Sequence, residues 1–184
     1  MINDEQIVLV DEDNNQVGVA PKLASHHQNT PLHRAFSCYI FDQSGRFLMT
    51  QRALSKKVFP GVWTNSLCGH PGPGESFEKA IARRASDELG TTLTDIRPIL
   101  SKFRYKADMG GIVENEFCPV FQASLSSTLE PNPSEVENIA WLTWEDYIGR
   151  VKDNPSSLSP WSVLQVNEIL AQGINLPLAA NSLI

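Results

Sequence analysis

Cys68 and His70 stand two residues apart at the end of the apolar run Val58-Phe59-Pro60-Gly61-Val62-Trp63-Thr64-Asn65-Ser66-Leu67, and Glu75, Arg83, Asp87 and Glu88 follow them. A thiol can act as nucleophile or acid/base. An imidazole can hold a metal or carry a proton. Carboxylates such as Glu88 can ligate a hard cation that also binds phosphate oxygens. Further on, Glu114 and Glu116 lie two apart in a strand-like segment, so their carboxylates point the same way. If that face is buried, repulsion and desolvation neutralise one acid unless a cation sits between them. If it faces solvent, no cation is needed, and the pattern leaves both readings open.

The chain has four histidines, His26, His27, His33 and His70. Three imidazoles (His26, His33, His70) with Glu114 and Glu116 would form a nitrogen/oxygen set suited to an octahedral divalent cation with one open position. Spacing alone does not make them converge. Each residue also has a plain reading. Arg84 and Glu88 are four apart and fit a surface ion pair. Cys68 fits a core thiol, and Tyr105 and Trp161 fit ordinary packing.

The elements that must position these residues can be traced along the chain. Ile7-Val8-Leu9-Val10 reads as a strand and Asp13-Asn14-Asn15 as a turn. Phe36 to Phe41 and Phe47 to Gln51 read as a hairpin closed by Asp42-Gln43-Ser44-Gly45-Arg46. Ser76 to Leu89 reads as a helix with the apolar stripe Phe77, Ala80, Ile81 and Ala85, capped by Ser76 and ended by a left-handed Gly90. Gly111 to Phe121 reads as one strand, Glu130 to Asn138 as a loop, and Trp141-Leu142 as a strand before a short helix opened by Thr143. Ser159-Pro160 opens a last helix that ends before Gly173. Strands mixed with helices on both sides predict an α/β sandwich in a single domain spanning 1–184, with 1–30 as an N-terminal strand and lid segment.

Size and charge set the remaining bounds. The 184 residues can bury one full core, with 41% hydrophobic and 20% charged residues. No apolar run is long enough for a membrane span. The acidic start Met1-Ile2-Asn3-Asp4-Glu5 is unlike a signal peptide, which leads us to expect a cytoplasmic protein. Cys38, Cys68 and Cys118 are too few and too scattered for a disulfide framework. A net charge of −6 argues against nucleic acid. Even so, residues 22–57 hold Lys22, Arg34, Arg46, Arg52, Lys56 and Lys57 against a single acid, Asp42, a sector suited to a small anion.

Read together, the segments resemble type 1 isopentenyl-diphosphate Δ-isomerases of the Nudix fold superfamily over nearly the whole chain. The resemblance rests on His26, His33-Arg34-Ala35-Phe36-Ser37, Gln51-Arg52-Ala53-Leu54-Ser55-Lys56-Lys57, Trp63 to Pro71, Phe103-Arg104-Tyr105, Gly111 to Glu116 and Ser159-Pro160-Trp161. Gly69, Glu75, Arg83, Glu88 and Gly90 fit the frame of the Nudix box, whereas Arg84 and Asp87 stand where that box has glutamates.

This resemblance implies a Nudix-type α/β/α sandwich with a mixed sheet, in which His26, His33, His70, Glu114 and Glu116 hold one divalent cation (Mn²⁺, Mg²⁺ or Zn²⁺). Glu88 and the Cys68 carbonyl would hold a Mg²⁺ on the substrate diphosphate, with Lys22, Arg52, Lys56 and Arg83 neutralising it. Cys68 and Glu116 would be the catalytic pair, Tyr105 bonded near Glu116 and Trp161 facing the carbon chain. The implied reaction shifts a double bond by one carbon through a carbocation and so needs two acid/base groups. The expectation is that Glu116 with Tyr105 delivers the proton and a Cys68 thiolate removes one, although the sequence does not settle the order. Partners are limited to a small diphosphate, with no nucleic acid or membrane and a monomer or weak dimer. The rival is a Nudix pyrophosphohydrolase of nucleoside diphosphate derivatives, which needs no thiol.

Overall fold

The computed structural model describes residues 5–25 and 27–178. In chain order the elements are β1 (Gln6–Val10), β2 (Gln16–Pro21), α1 (Lys22–Ser25), β3 (His33–Arg34), β4 (Phe36–Phe41), β5 (Phe47–Arg52), β6 (Trp63–Thr64) and β7 (Leu67–Gly69). There follow α2 (Phe77–Leu89), β8 (Leu93–Leu100), β9 (Arg104–Met109), β10 (Ile112–Phe117), β11 (Val120–Leu125), β12 (Val136–Leu142), α3 (Trp144–Asp153) and α4 (Pro160–Ala171).

The strands form two mixed sheets. The smaller runs β2-β1-β3-β10-β9, and the larger runs β12-β5-β4-β11-β8 with β6 on β5 and β7 on β4. Within them β3 pairs parallel with β10 and β4 parallel with β11. β4 is buried along its whole length, and its alternation divides the core. Phe36, Cys38 and Ile40 pack towards α2 with Ala80, Ile81, Ala85 and Leu89. Tyr39 and Phe41 pack on the opposite side with Phe47, Trp144, Tyr147, Val166 and Ile169. The larger sheet is thus the filling of an α/β/α sandwich, with α2 on one face and α3 and α4 on the other.

The segment expected as one strand from Gly111 to Phe121 is two, β10 in the smaller sheet and β11 in the larger. Pro119 has no N–H to donate and interrupts the ladder. The neighbouring strand changes sheets at the same level, between Arg34 and Phe36, and the two remain tied by Ala35 N–H to Phe117 O (2.9 Å) and Ser37 N–H to Pro119 O (3.1 Å). This seam brings the chemistry-bearing ends of β3, β7 and β10 together. The loop expected through Asn138 already becomes strand at Val136, which pairs with Arg52.

Helix α2 ends as expected. Ser76 accepts from Lys79 N–H at 3.3 Å, and Gly90 closes the helix at φ 58°. A Cβ at Gly90 would lie 2.6 Å from Glu130 O, so a left-handed conformation and a backbone clash coincide there. Gly90→Ala is expected to destabilise the fold by about 2 kcal/mol or more, read as a lower urea midpoint.

Candidate active site

At the seam, His33, His70 and Glu116 meet. His70 Nε2 lies 3.0 Å from Glu116 Oε1, His33 Nε2 lies 3.7 Å from the same oxygen, and the two Nε2 atoms are 3.3 Å apart. The pairing register explains the convergence, because His33 and Glu116 face each other across β3 and β10. His33 Nδ1 sits 2.9 Å from Pro31 O, so it donates there and leaves the Nε2 lone pair aimed at the cluster.

Charge states suit a cation. Burial opposes ionisation of Glu116, but the adjoining imidazoles of His33 and His70 win and hold its carboxyl well below the usual carboxylate range. Burial, with the charge of Lys22, brings His70 down to about 4. An imidazole held neutral at His70, the Nε2 of His33 and an ionised carboxylate fit a divalent metal, and the three ligand atoms lie within 4.8 Å of one another. Glu114, half-buried one pleat away, lines the same cavity. His26 lies outside the described residues.

A depressed imidazole pKa has a consequence for stability. Below the unfolded value of 6.5 the unfolded chain takes up a proton that folded His70 refuses until about 4. In chelator, the thermal midpoint is therefore expected to fall on acidification between those values, by on the order of 3 kcal/mol of stability. His70→Gln should flatten that slope.

The cavity measures about 630 Å³. One wall is aromatic. Phe59 and Trp161 meet edge to face at 5.1 Å, and Tyr105 lies 6.1 Å from Trp161. Cys68 packs against that cluster. Tyr105 faces Glu116 across β9 and β10, and burial together with the Glu116 charge pushes its hydroxyl well above the ordinary phenol range. Burial pushes the Cys68 thiol up to about 11, and the Glu116 and Glu88 carboxylates add to the rise. The protein's own groups therefore favour the proton on Cys68 over Glu116, one of the two orders the sequence left open.

The other wall is charged, with Lys22, Arg52, Lys56, Lys57, Arg84, Glu88 and Glu135. Most of its cations are held by the protein. Lys22 Nζ reaches Glu5 at 2.8 Å, and Arg52 donates to the Val58 carbonyl (2.9 Å) and the Phe59 carbonyl (3.2 Å). Lys56 pairs with Glu135. Arg84 pairs with Glu88 and reaches Glu135 at 3.3 Å, so the expected surface pair is a largely buried one. Burial raises the Glu88 carboxyl, and Glu135 raises it further against the pull of Arg84. Arg83 is not among the lining residues. Its guanidinium grips Glu75 at 2.9 and 2.8 Å and donates to the His70 carbonyl at 3.2 Å, behind the ligand loop.

Sequence reasoning missed Glu135, whose only setting was a proline-punctuated loop, and gave no role to Glu5; it placed Lys57 only in the basic sector and Arg84 only in a surface pair with Glu88. Asn65 was read only as part of a motif.

Against known proteins, a model of the NUDIX domain matches residues 31–162. A Salmonella arizonae protein named isopentenyl-diphosphate Delta-isomerase is 48% identical over 168 residues, 91% of this chain and 92% of its own. The chain belongs to the isopentenyl-diphosphate Delta-isomerase family. Relatives of the same name agree, one from Paenarthrobacter aurescens at 48% over 97% of both chains, and one from Agromyces mediolanus at 51% over 88% of this chain and 79% of its own. Among solved structures, DR0079 from Deinococcus radiodurans matches with a TM-score of 0.63 at 23% identity, covering 82% of this chain and 90% of that one. The MutT protein from Methanosarcina mazei matches at 0.60 and 17%, covering 79% and 97%. At those identities the two structures bear on the Nudix fold alone. Among the described residues of this isomerase-family chain, no helix is long and apolar enough to cross a membrane.

Proposed function

We propose that the protein interconverts isopentenyl and dimethylallyl diphosphate by adding a proton at one end of a three-carbon unit and removing one from the other. The observation that carries this reading is a single cavity lined by Cys68, by Glu116 with its Tyr105 partner, and by Trp161. An unactivated alkene is a weak base, so it must meet a positioned acid in a place without water. With the charge states above, the Cys68 S–H is the donor to the terminal carbon, and the Glu116 carboxylate accepts the proton lost from the carbon nearer the diphosphate. The reverse reaction exchanges the roles. The tertiary cation between these steps needs a stabiliser that cannot trap it. The Trp161 face suits that need at about 2 kcal/mol when desolvated.

His33, His70 and Glu116, with Glu114 beside them, would hold one divalent cation, and His26 is proposed with them. Glu88 and the Cys68 carbonyl would hold a Mg²⁺. When bound, such cations supply positive charge to Glu116 and to the substrate diphosphate. Arg52, Lys56, Lys57 and Lys22 would meet the diphosphate oxygens, and Arg83 would act from behind by holding the His70 loop. Lys22 stands where β2 passes into α1, so the segment up to residue 30 would close over the diphosphate.

The test is incubation with isopentenyl diphosphate and Mg²⁺ in deuterated water, followed by proton NMR. Deuterium in a dimethylallyl product supports the isomerase. Phosphate released from a nucleoside diphosphate panel without exchange would replace it with the hydrolase.

A further inference from the structure

One buried carboxamide touches both the thiol and the indole. Asn65 is fully buried, and its Oδ1 accepts three hydrogen bonds: from Cys68 Sγ at 3.2 Å, Trp161 Nε1 at 3.1 Å and Thr64 Oγ1 at 2.9 Å. Its Nδ2 donates to the carbonyls of Leu67 (2.9 Å) and Cys38 (3.2 Å). A flipped amide would set N–H groups against the indole N–H and oxygen against two carbonyls, so the partners fix the orientation. Asn65 does not line the cavity.

We infer that Asn65 is a positioning residue, its one carboxamide oxygen fixing the direction of the Cys68 S–H bond and the tilt of the Trp161 indole relative to each other. The catalytic part of this inference rests on the isomerase reading. Ser37, on another side of the thiol, does not substitute for it. Ser37 Oγ accepts from Gln165 Nε2 at 2.8 Å and has a single proton to share between Cys68 Sγ at 3.4 Å and Cys118 Sγ at 3.5 Å. The indole N–H goes to Asn65, not to Ser37. Trp161 and Gln165 are one turn apart on α4, so that helix braces the thiol through two relays, of which the Asn65 relay also sets the π-face. Thr64 extends the tie to the start of α4, its hydroxyl 2.8 Å from the capping Ser159 Oγ. Without the shared oxygen, the S–H can swing and the indole can tilt. Neither change touches a diphosphate contact.

The experiment uses Asn65→Ala and the milder Asn65→Ser, each beside its Cys68→Ser counterpart. The S–H stretching band of Cys68, isolated by subtracting the Cys68→Ser spectrum, should lie below the free-thiol frequency in the wild type and move up in both variants. The kcat for isopentenyl diphosphate should fall about 10- to 100-fold, with KM within about threefold, as expected for misplaced groups rather than lost binding. A wild-type band at the free-thiol frequency overturns the inference even if neither variant folds. So does a band that stays put in a folded variant, or a shifted band with kcat unchanged. If the wild type does not isomerise, the isomerase reading fails first, and the band alone decides whether Asn65 orients the thiol.

Discussion

Cys68→Ala and Glu116→Gln are each expected to lower isopentenyl diphosphate turnover by about 10³-fold, within the range ascribed to a positioned acid or base. The two losses have different causes, and a second readout separates them. Cys68 is half-buried, and among the described residues its thiol meets the Ser37 and Asn65 side chains as hydrogen-bond partners. Removing it takes away one small group and leaves Glu116 and its imidazoles in place. Metal content and thermal midpoint should therefore stay near the wild type while turnover collapses. Glu116→Gln preserves shape but removes the charge that His33 and His70 both address. That variant should lose metal affinity as well as turnover. Retention of turnover within about tenfold by either variant would sink the two-group mechanism.

The parts of this site that could be read from sequence were those with a local cause. Ser76 and Gly90 bound α2 because a side-chain acceptor and a left-handed residue are needed at its two ends. The buried alternation of β4 follows from an apolar run between turn residues. The convergence of His33, His70 and Glu116 has no local cause. It comes from a parallel pairing of strands whose residues are 83 apart in number (33 to 116) and from the seam where those strands change sheets. Pro119 signals that seam, yet an isolated X-Pro does not say whether a strand ends, bulges or changes sheet. β2, β8 and β9 escaped notice because their apolar residues are interrupted by glycine, proline or charge. Glu135 could not be assigned, because its significance lies in Lys56 and Arg84, which reach it from other parts of the chain. Arg83 shows the converse. Its place in the motif frame is right, but its guanidinium is committed to Glu75.

Arg84→Ala should be the most destabilising single change on the charged wall. The Arg84 side chain is 16% exposed and stands between Glu88 and Glu135, themselves 14% and 22% exposed. Deleting it leaves two neighbouring carboxylates poorly solvated and facing each other. The expected cost is about 3 kcal/mol, the scale for removing one partner of a buried pair, or a fall in thermal midpoint of roughly 8 °C for a chain of this size. Packing contributes too, since a Cβ added at Gly69 would lie 3.0 Å from the Arg84 side chain. The electrostatic share is separable. Adding Glu88→Gln to Arg84→Ala should recover part of the loss, because one of the opposed charges is gone. Mg²⁺ should raise the midpoint of Arg84→Ala more than that of the wild type, since Glu88, left without its arginine, and Glu135, then held by Lys56 alone, form a stronger cation site. Equal Mg²⁺ shifts in the two proteins would mean that Arg84 neutralises nothing a cation can reach. An arginine where hydrolysing relatives of the Nudix box carry an acid would then need a different explanation from the one given by its geometry.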